Sequence, residues 1–103
     1  MASTYHRALV WFGVANKLIH TGPGLLFGML LGTDSANDPT ITIYDGITAA
    51  GDELVPTATY ESAYKGLNGF TCSYGKQFDT GLYIEISCGG TVEVSVDYRE
   101  LSR

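Results

Sequence analysis

The side chains that could do chemistry in this chain of 103 residues are few and scattered along it. His6 and His20 are its only histidines, and neither lies at metal-ligand spacing from a cysteine, an acidic cluster or the other histidine. Cys72 and Cys88 lie in strand-like segments, where a thiol is usually buried and unreactive. The sequence therefore predicts that the protein is not an enzyme. The enzymatic alternative requires folding to bring a histidine within hydrogen-bonding distance of an aspartate or a cysteine.

Oxygen ligands cluster in one segment, residues 33–39. Asp34, Asn37 and Asp38 resemble the start of a calcium loop, but no glutamate follows at the spacing that completes such a loop. The same residues are typical turn formers, because their side chains bond their own backbone. We therefore predict a loop here, and no metal ion or cofactor in the protein.

Charge and hydropathy exclude two classes of partner. Six basic and eleven acidic side chains give a net charge of −5, which repels phosphate backbones and argues against direct nucleic-acid binding. The most apolar run, residues 22–32, is much shorter than the roughly 20 residues that span a bilayer, so we predict no membrane segment. Only 17% of the residues are charged, so much of the surface must be formed by hydroxyl, amide and tyrosine side chains.

Short alternating segments indicate β-strands. Residues 40–44 place Ile41 and Ile43 on one face, and residues 82–88 and 92–98 alternate in the same way on either side of two glycines. We predict that these last two segments form a hairpin. The apolar run 25–31 predicts a strand buried on both faces, or one with a bulge at Gly28. Pro56 predicts an edge position for the strand that contains it.

Six to eight short strands without a helical period favour an all-β fold, an antiparallel β-sandwich or jelly-roll-like barrel. The length predicts one domain, 1–103, with the first strand at 8–14 and residues 1–7 as a candidate extended N-terminal arm. Seven tyrosines exceed what a small core can hold, and Tyr44 and Tyr83 fall opposite the apolar faces of their strands. Interface contact and ordinary cross-strand pairing both explain such tyrosines at this point.

Several motifs occur in a recognisable order between residues 17 and 99. They are Thr-Gly-Pro-Gly-Leu-Leu-Phe-Gly at 21–28, Thr-Ile-Thr-Ile-Tyr-Asp-Gly at 40–46, Ala-Ala-Gly at 49–51, Phe-Asp-Thr-Gly-Leu at 78–82 and Gly-Thr-Val-Glu-Val-Ser-Val-Asp-Tyr-Arg at 90–99. Taken together, the series resembles small virion proteins of tailed bacteriophages. Cys72, Cys88 and the aromatic first strand depart from that pattern.

The resemblance implies a non-enzymatic capsid decoration or cement protein, made in the bacterial host cytoplasm and bound outside the shell of the virion. Its partners would be the major capsid protein and copies of itself, as a homotrimer or another multimer. The alternative is a tail, adaptor or head-fibre component built on the same framework. In either case we expect residues 2–12 and the loop 33–39 to reach neighbouring subunits, because a small core need not absorb so apolar a beginning. The predicted interface residues are Tyr5, Trp11, Phe12, Asp34, Asn37, Tyr44 and Tyr83.

Overall fold

The computed structural model describes residues 3–10, 16–33, 36–62, 68–90 and 92–101, and the regular elements in these residues are all β-strands. The strands are β1 (Ser3–Val10), β2 (Asn16–Thr21), β3 (Gly24–Thr33), β4 (Thr40–Asp45), β5 (Asp52–Thr59), β6 (Asn68–Phe78), β7 (Gly81–Ser87) and β8 (Val92–Leu101). They form two four-stranded sheets. The first sheet has the order β1-β8-β3-β6, and the second sheet has the order β2-β7-β4-β5.

The strand pairing is nested. β1 pairs with β8, β2 with β7, β3 with β6 and β4 with β5, and each pair is antiparallel. The chain is thus one long antiparallel ribbon whose successive pairs alternate between the two sheets, which is the organisation of a jelly roll. The prediction of an all-β, antiparallel sandwich with jelly-roll character and six to eight strands is confirmed.

The core lies between the two sheets, because every second side chain of a strand points to the same face. Its buried members are Leu26, Met29, Leu31, Ile41, Ile43, Leu54, Phe78, Leu82, Ile84, Ile86, Val92, Val94, Val96 and Tyr98. The period-two pattern of β4, β7 and β8 supplies most of this list, as the sequence predicts.

The predicted hairpin between residues 82–88 and 92–98 is wrong. β7 lies in the second sheet between β2 and β4, whereas β8 lies in the first sheet between β1 and β3. Gly89 and Gly90 therefore join two strands that belong to different layers. Alternation identifies the side chains that point inward, but strands that face each other across a core alternate in the same way as strands that lie side by side.

The bulge predicted at Gly28 is confirmed. The register of β3 shifts between Leu26 and Gly28 against both of its neighbours, so that Phe27 is the extra residue on the side of β8. A Cβ atom on Gly28 would lie 2.6 Å from the carbonyl oxygen of Phe70 in β6. The bulge thus brings two backbones together at a position where only glycine fits.

The ends of the sheets differ in part from the prediction. β5, which contains Pro56, lies at an edge of the second sheet as predicted. The first strand begins earlier than the predicted 8–14: Ser3 already pairs with Leu101, and the pairing continues to Val10 opposite Val94. Residues 3–7 of the candidate N-terminal arm are therefore paired in the first sheet, while residues 1, 2 and 11–15 lie outside the described residues.

Candidate interaction surface

The outer face of the second sheet carries two rows of side chains that cross its four strands. Directly opposed residues of an antiparallel pair point to the same face, so the register identifies the members of each row. The first row contains Leu18, Tyr83, Tyr44 and Glu53, and the second contains Asn16, Glu85, Thr42 and Thr57. We call these eight residues the tyrosine face. The isoleucines next to them in β4 and β7 point into the core.

Side-chain hydrogen bonds hold the middle of the tyrosine face in place. The Tyr44 hydroxyl donates to Oε1 of Glu85 on the neighbouring strand at 2.9 Å, and the rings of Tyr44 and Tyr83 lie 6.4 Å apart at 53°. The hydroxyl oxygens of Thr42 and Thr57 are 2.7 Å apart and share a hydrogen bond between β4 and β5. Neighbouring side chains leave Thr42 and Tyr44 only 3% and 9% exposed, although both lie on the outer side of the sheet. The face is therefore ordered before any partner arrives.

The electrostatics of the tyrosine face are acidic. Its two charged members are Glu53 and Glu85. The hydrogen bond to the Glu85 carboxylate, together with desolvation and the charge of that carboxylate, raises the pKa of Tyr44 above its ordinary value. The Tyr44 hydroxyl consequently stays protonated at neutral pH and remains a hydrogen-bond donor.

The far end of β4 is fixed by Asp45, the residue after Tyr44. Its carboxylate accepts hydrogen bonds from the backbone N–H groups of Asp79 at 3.1 Å and Thr80 at 2.8 Å, in the turn between β6 and β7. This contact ties the end of β4 to the start of β7. It thereby sets the alignment that places Tyr44 opposite Tyr83.

Of the predicted interface residues, the structure brings Tyr44 and Tyr83 together. Asn37 lies apart from them, before the start of β4, where its carbonyl oxygen is 3.6 Å from the Sγ atom of Cys88. Tyr5 belongs to β1 and pairs in register with Arg99 of the first sheet. The other three predicted residues, Trp11, Phe12 and Asp34, lie outside the described residues.

Sequence reasoning missed the other members of the tyrosine face. Glu85 and Thr42 could have been found, because each lies two residues from a tyrosine already predicted to point outward. Leu18 gave no such signal. Its place beside Tyr83 depends on the pairing of β2 with β7, and it is 41% exposed.

The residues considered for catalysis or metal binding occupy separate places. His20 is half-buried in β2 and lies with its ring centroid 6.0 Å from Phe78 and 5.4 Å from Tyr98. Cys72 and Cys88 are both free thiols. In the described part of the chain, no three histidine, cysteine, aspartate or glutamate side chains form a group that could hold a metal ion. The same part contains no helix able to cross a membrane.

Asp38 has a structural partner. Its Oδ1 atom accepts a hydrogen bond from the backbone N–H of Ser62 at 2.9 Å, and this bond and a second one from the Ser62 side chain lower the pKa of the Asp38 carboxyl group. Ser62 also begins a Ser-x-x-Lys spacing that ends at Lys65. Ser62 is buried, and Lys65 lies outside the described residues.

Comparison with known proteins finds similarity in structure but none in sequence. No protein-family model matches the chain, and no curated protein sequence matches it. Among solved structures, the chain is similar to the cryo-EM structure of the extra small virus VLP of the giant freshwater prawn Macrobrachium rosenbergii, with a TM-score of 0.37 and 8% identity over 100% of this chain and 82% of that chain. At this TM-score the likeness carries no argument about function. The fold assignment rests on the nested order of the eight strands.

Proposed function

We propose that the protein is a non-enzymatic structural component of a virus particle, a decoration or cement protein that attaches in several copies to the outside of a phage capsid. The tyrosine face is the observation that carries this proposal. It offers an ordered and partly apolar surface on the outer side of the second sheet. Tyrosine is enriched at protein interfaces, since it supplies a large contact area at a low cost in rotamer entropy.

The chemistry of the tyrosine face defines the kind of partner it would accept. Leu18 and the half-buried Tyr83 ring supply apolar contact, while Glu53 is an exposed carboxylate at the end of the same row. A capsid surface that fits would present a shallow apolar patch with an arginine or lysine beside it. Many copies on one shell would then add weak individual contacts through avidity. The ordered series of motifs between residues 17 and 99, which resembles phage virion proteins, supports the same assignment.

Cryo-electron microscopy of particles of the virus whose genome encodes the chain tests the proposal directly. We expect density for the sandwich on the outer capsid surface, with the second sheet turned toward the shell. Density in the tail or in a head fibre would contradict capsid decoration and support the alternative location. Density on the shell with the tyrosine face turned toward solvent would remove this face from the argument.

Substitutions provide a second test with a matched control. Binding is measured with capsids that lack the protein. We expect Tyr83→Ser and Leu18→Ser each to lower the affinity roughly tenfold or more, the effect typical of an anchoring residue. Tyr74→Ser changes a side chain that is 94% exposed on β6 of the first sheet, and we expect no loss of binding. Equal effects of the face and control substitutions would contradict a role for the tyrosine face.

A further inference from the structure

In the part of the chain that the structure describes, each sheet has two edge strands, and the four edge strands are not alike. The edge strands are β1 and β6 in the first sheet and β2 and β5 in the second. An edge strand presents backbone N–H and C=O groups that can pair with another chain, and proteins usually block it with a bulge, a proline or a short strand.

Three of the four edges are interrupted. In β6, residues 72–75 lie opposite the single residue Phe27 of β3, and Gly75 at the end of this bulge has a φ of 81°. β5 contains Pro56 and shifts register twice against β4. β2 is six residues long and shifts register between Leu18 and His20. None of these edges offers a long regular ladder to a further strand.

β1 has no such interruption. Its eight residues pair with β8 without any register shift, from Ser3 opposite Leu101 to Val10 opposite Val94. The strand contains neither proline nor glycine and extends over roughly 26 Å at about 3.3 Å per residue. Among the described residues it has a neighbouring strand on one side only. Alternate residues of such a strand direct both backbone groups outward, which leaves about four residues ready to pair.

We propose that the edge of β1 that faces away from β8 pairs antiparallel with β1 of a second copy of this chain, related by a two-fold axis. The two first sheets then join into one continuous eight-stranded sheet. A two-fold contact uses the same edge on both copies, so the dimer covers both regular edges, and no third copy can add through them. The edges that remain at the two ends of the joined sheet are the bulged β6 strands, which do not support further growth.

Strand length and charge together favour one register of this pairing. Registers centred on His6 or on Arg7 pair the most residues of Ser3–Val10, whereas those centred further toward either end pair fewer. The register centred on Arg7 would oppose two like charges, which is destabilising, so we expect the register centred on His6. This inference is independent of capsid attachment. It predicts a two-fold dimer of the free protein, whereas the resemblance to virion proteins implies a homotrimer or another multimer.

Cysteine scanning tests both the pairing and its register. In a Cys72→Ser/Cys88→Ser background, single substitutions Tyr5→Cys, His6→Cys and Arg7→Cys are oxidised and analysed for covalent dimers. Opposed residues have Cα atoms about 4.5–5.5 Å apart, within the reach of a disulfide, whereas mates offset by two residues are about 8 Å apart. We expect the His6→Cys variant to cross-link at least tenfold more than its two neighbours. Ala58→Cys, on the edge strand interrupted by Pro56, is the control that should not cross-link.

Measurements of mass complete the test. By light scattering, the unmodified protein should have twice the 11.1 kDa mass of the chain. Ala8→Pro and Leu9→Pro remove successive backbone N–H groups, of which one points to β8 and the other outward. One variant should therefore lose thermal stability, and the other should remain folded as a monomer. A protein that is monomeric or trimeric at about 100 μM and cross-links at none of the β1 positions would overturn the pairing, while cryo-electron microscopy would still decide capsid attachment separately.

Discussion

Phe78→Ala is expected to remove a side chain that holds the two sheets together. Phe78 ends β6 of the first sheet and is completely buried. His20, from β2 of the second sheet, packs against it in an edge-on arrangement with the ring centroids 6.0 Å apart. Gly24 lies behind the ring, and a Cβ atom at that position would overlap Phe78. With glycine on one side and a packed imidazole on the other, few neighbouring atoms can move into the space that alanine would leave.

The expected cost follows from the lost burial and the cavity. A fully buried phenylalanine replaced by alanine costs about 3–5 kcal/mol, and a site that cannot collapse lies toward the upper end of this range. A domain of this size has a free energy of unfolding of about 5–15 kcal/mol. Urea unfolding should therefore show a large fall in stability, and Tm should drop by more than about 12 °C. Phe78→Leu, which keeps most of the volume, should cost roughly 1–2 kcal/mol.

The control is Tyr74→Ala, on the same strand but 94% exposed, which should stay within about 0.5 kcal/mol of the unmodified protein. A loss of less than about 1 kcal/mol for Phe78→Ala would mean that the ring is not enclosed between the layers. In that case β6 and β2 would not lie across the core from each other, and the nested strand order would be wrong at this end of the sandwich.

Three other perturbations test local contacts. Glu85→Gln should bring the pKa of Tyr44 down toward its ordinary value, measured from phenolate absorbance with Tyr44→Phe as the reference. Because the folded pKa is raised, the hydrogen bond stabilises the fold below the unfolded pKa of about 10, and this contribution is lost as pH rises through the folded pKa. Ser62 lowers the pKa of Asp38, so the hydrogen bonds between them stabilise the fold above the unfolded pKa of 3.8, and this stabilisation is lost as pH falls through the folded pKa. Asp38→Asn should therefore make the free energy of unfolding, measured with urea at successive pH values, less dependent on pH on the acid side. Gly69→Ala should cost about 1–3 kcal/mol in urea unfolding, because Gly69 has a φ of 148° and an added Cβ atom would overlap the backbone of β3; an unchanged midpoint would contradict that backbone conformation.

The sequence predicts the strands and the core well where alternation is strict. Ile41 and Ile43 in β4, and the valines of β8, have one apolar face whose only stable position is the interior. Pro56 likewise favours an edge position for β5, because proline has no backbone N–H to donate to a neighbouring strand. These predictions depend on one strand at a time. They succeed because burial and backbone chemistry act on each strand separately.

Pairing depends on the other strands, and for that reason the sequence alone does not determine it. Both Tyr44 and Tyr83 are predicted to point outward, but they meet only because β4 and β7 are neighbours in a register that places these two residues opposite each other. That register is fixed by contacts far apart in sequence, such as the Asp45 carboxylate with the backbone of Thr80. Two consecutive glycines after β7 are equally compatible with a hairpin turn and with a connection between the two sheets. Both sheets cover the same core, and the connection from one sheet to the other lets the inward faces of β7 and β8 pack against each other. The same connection places β7 beside β4, and the outer side chains of these two strands form the centre of the tyrosine face.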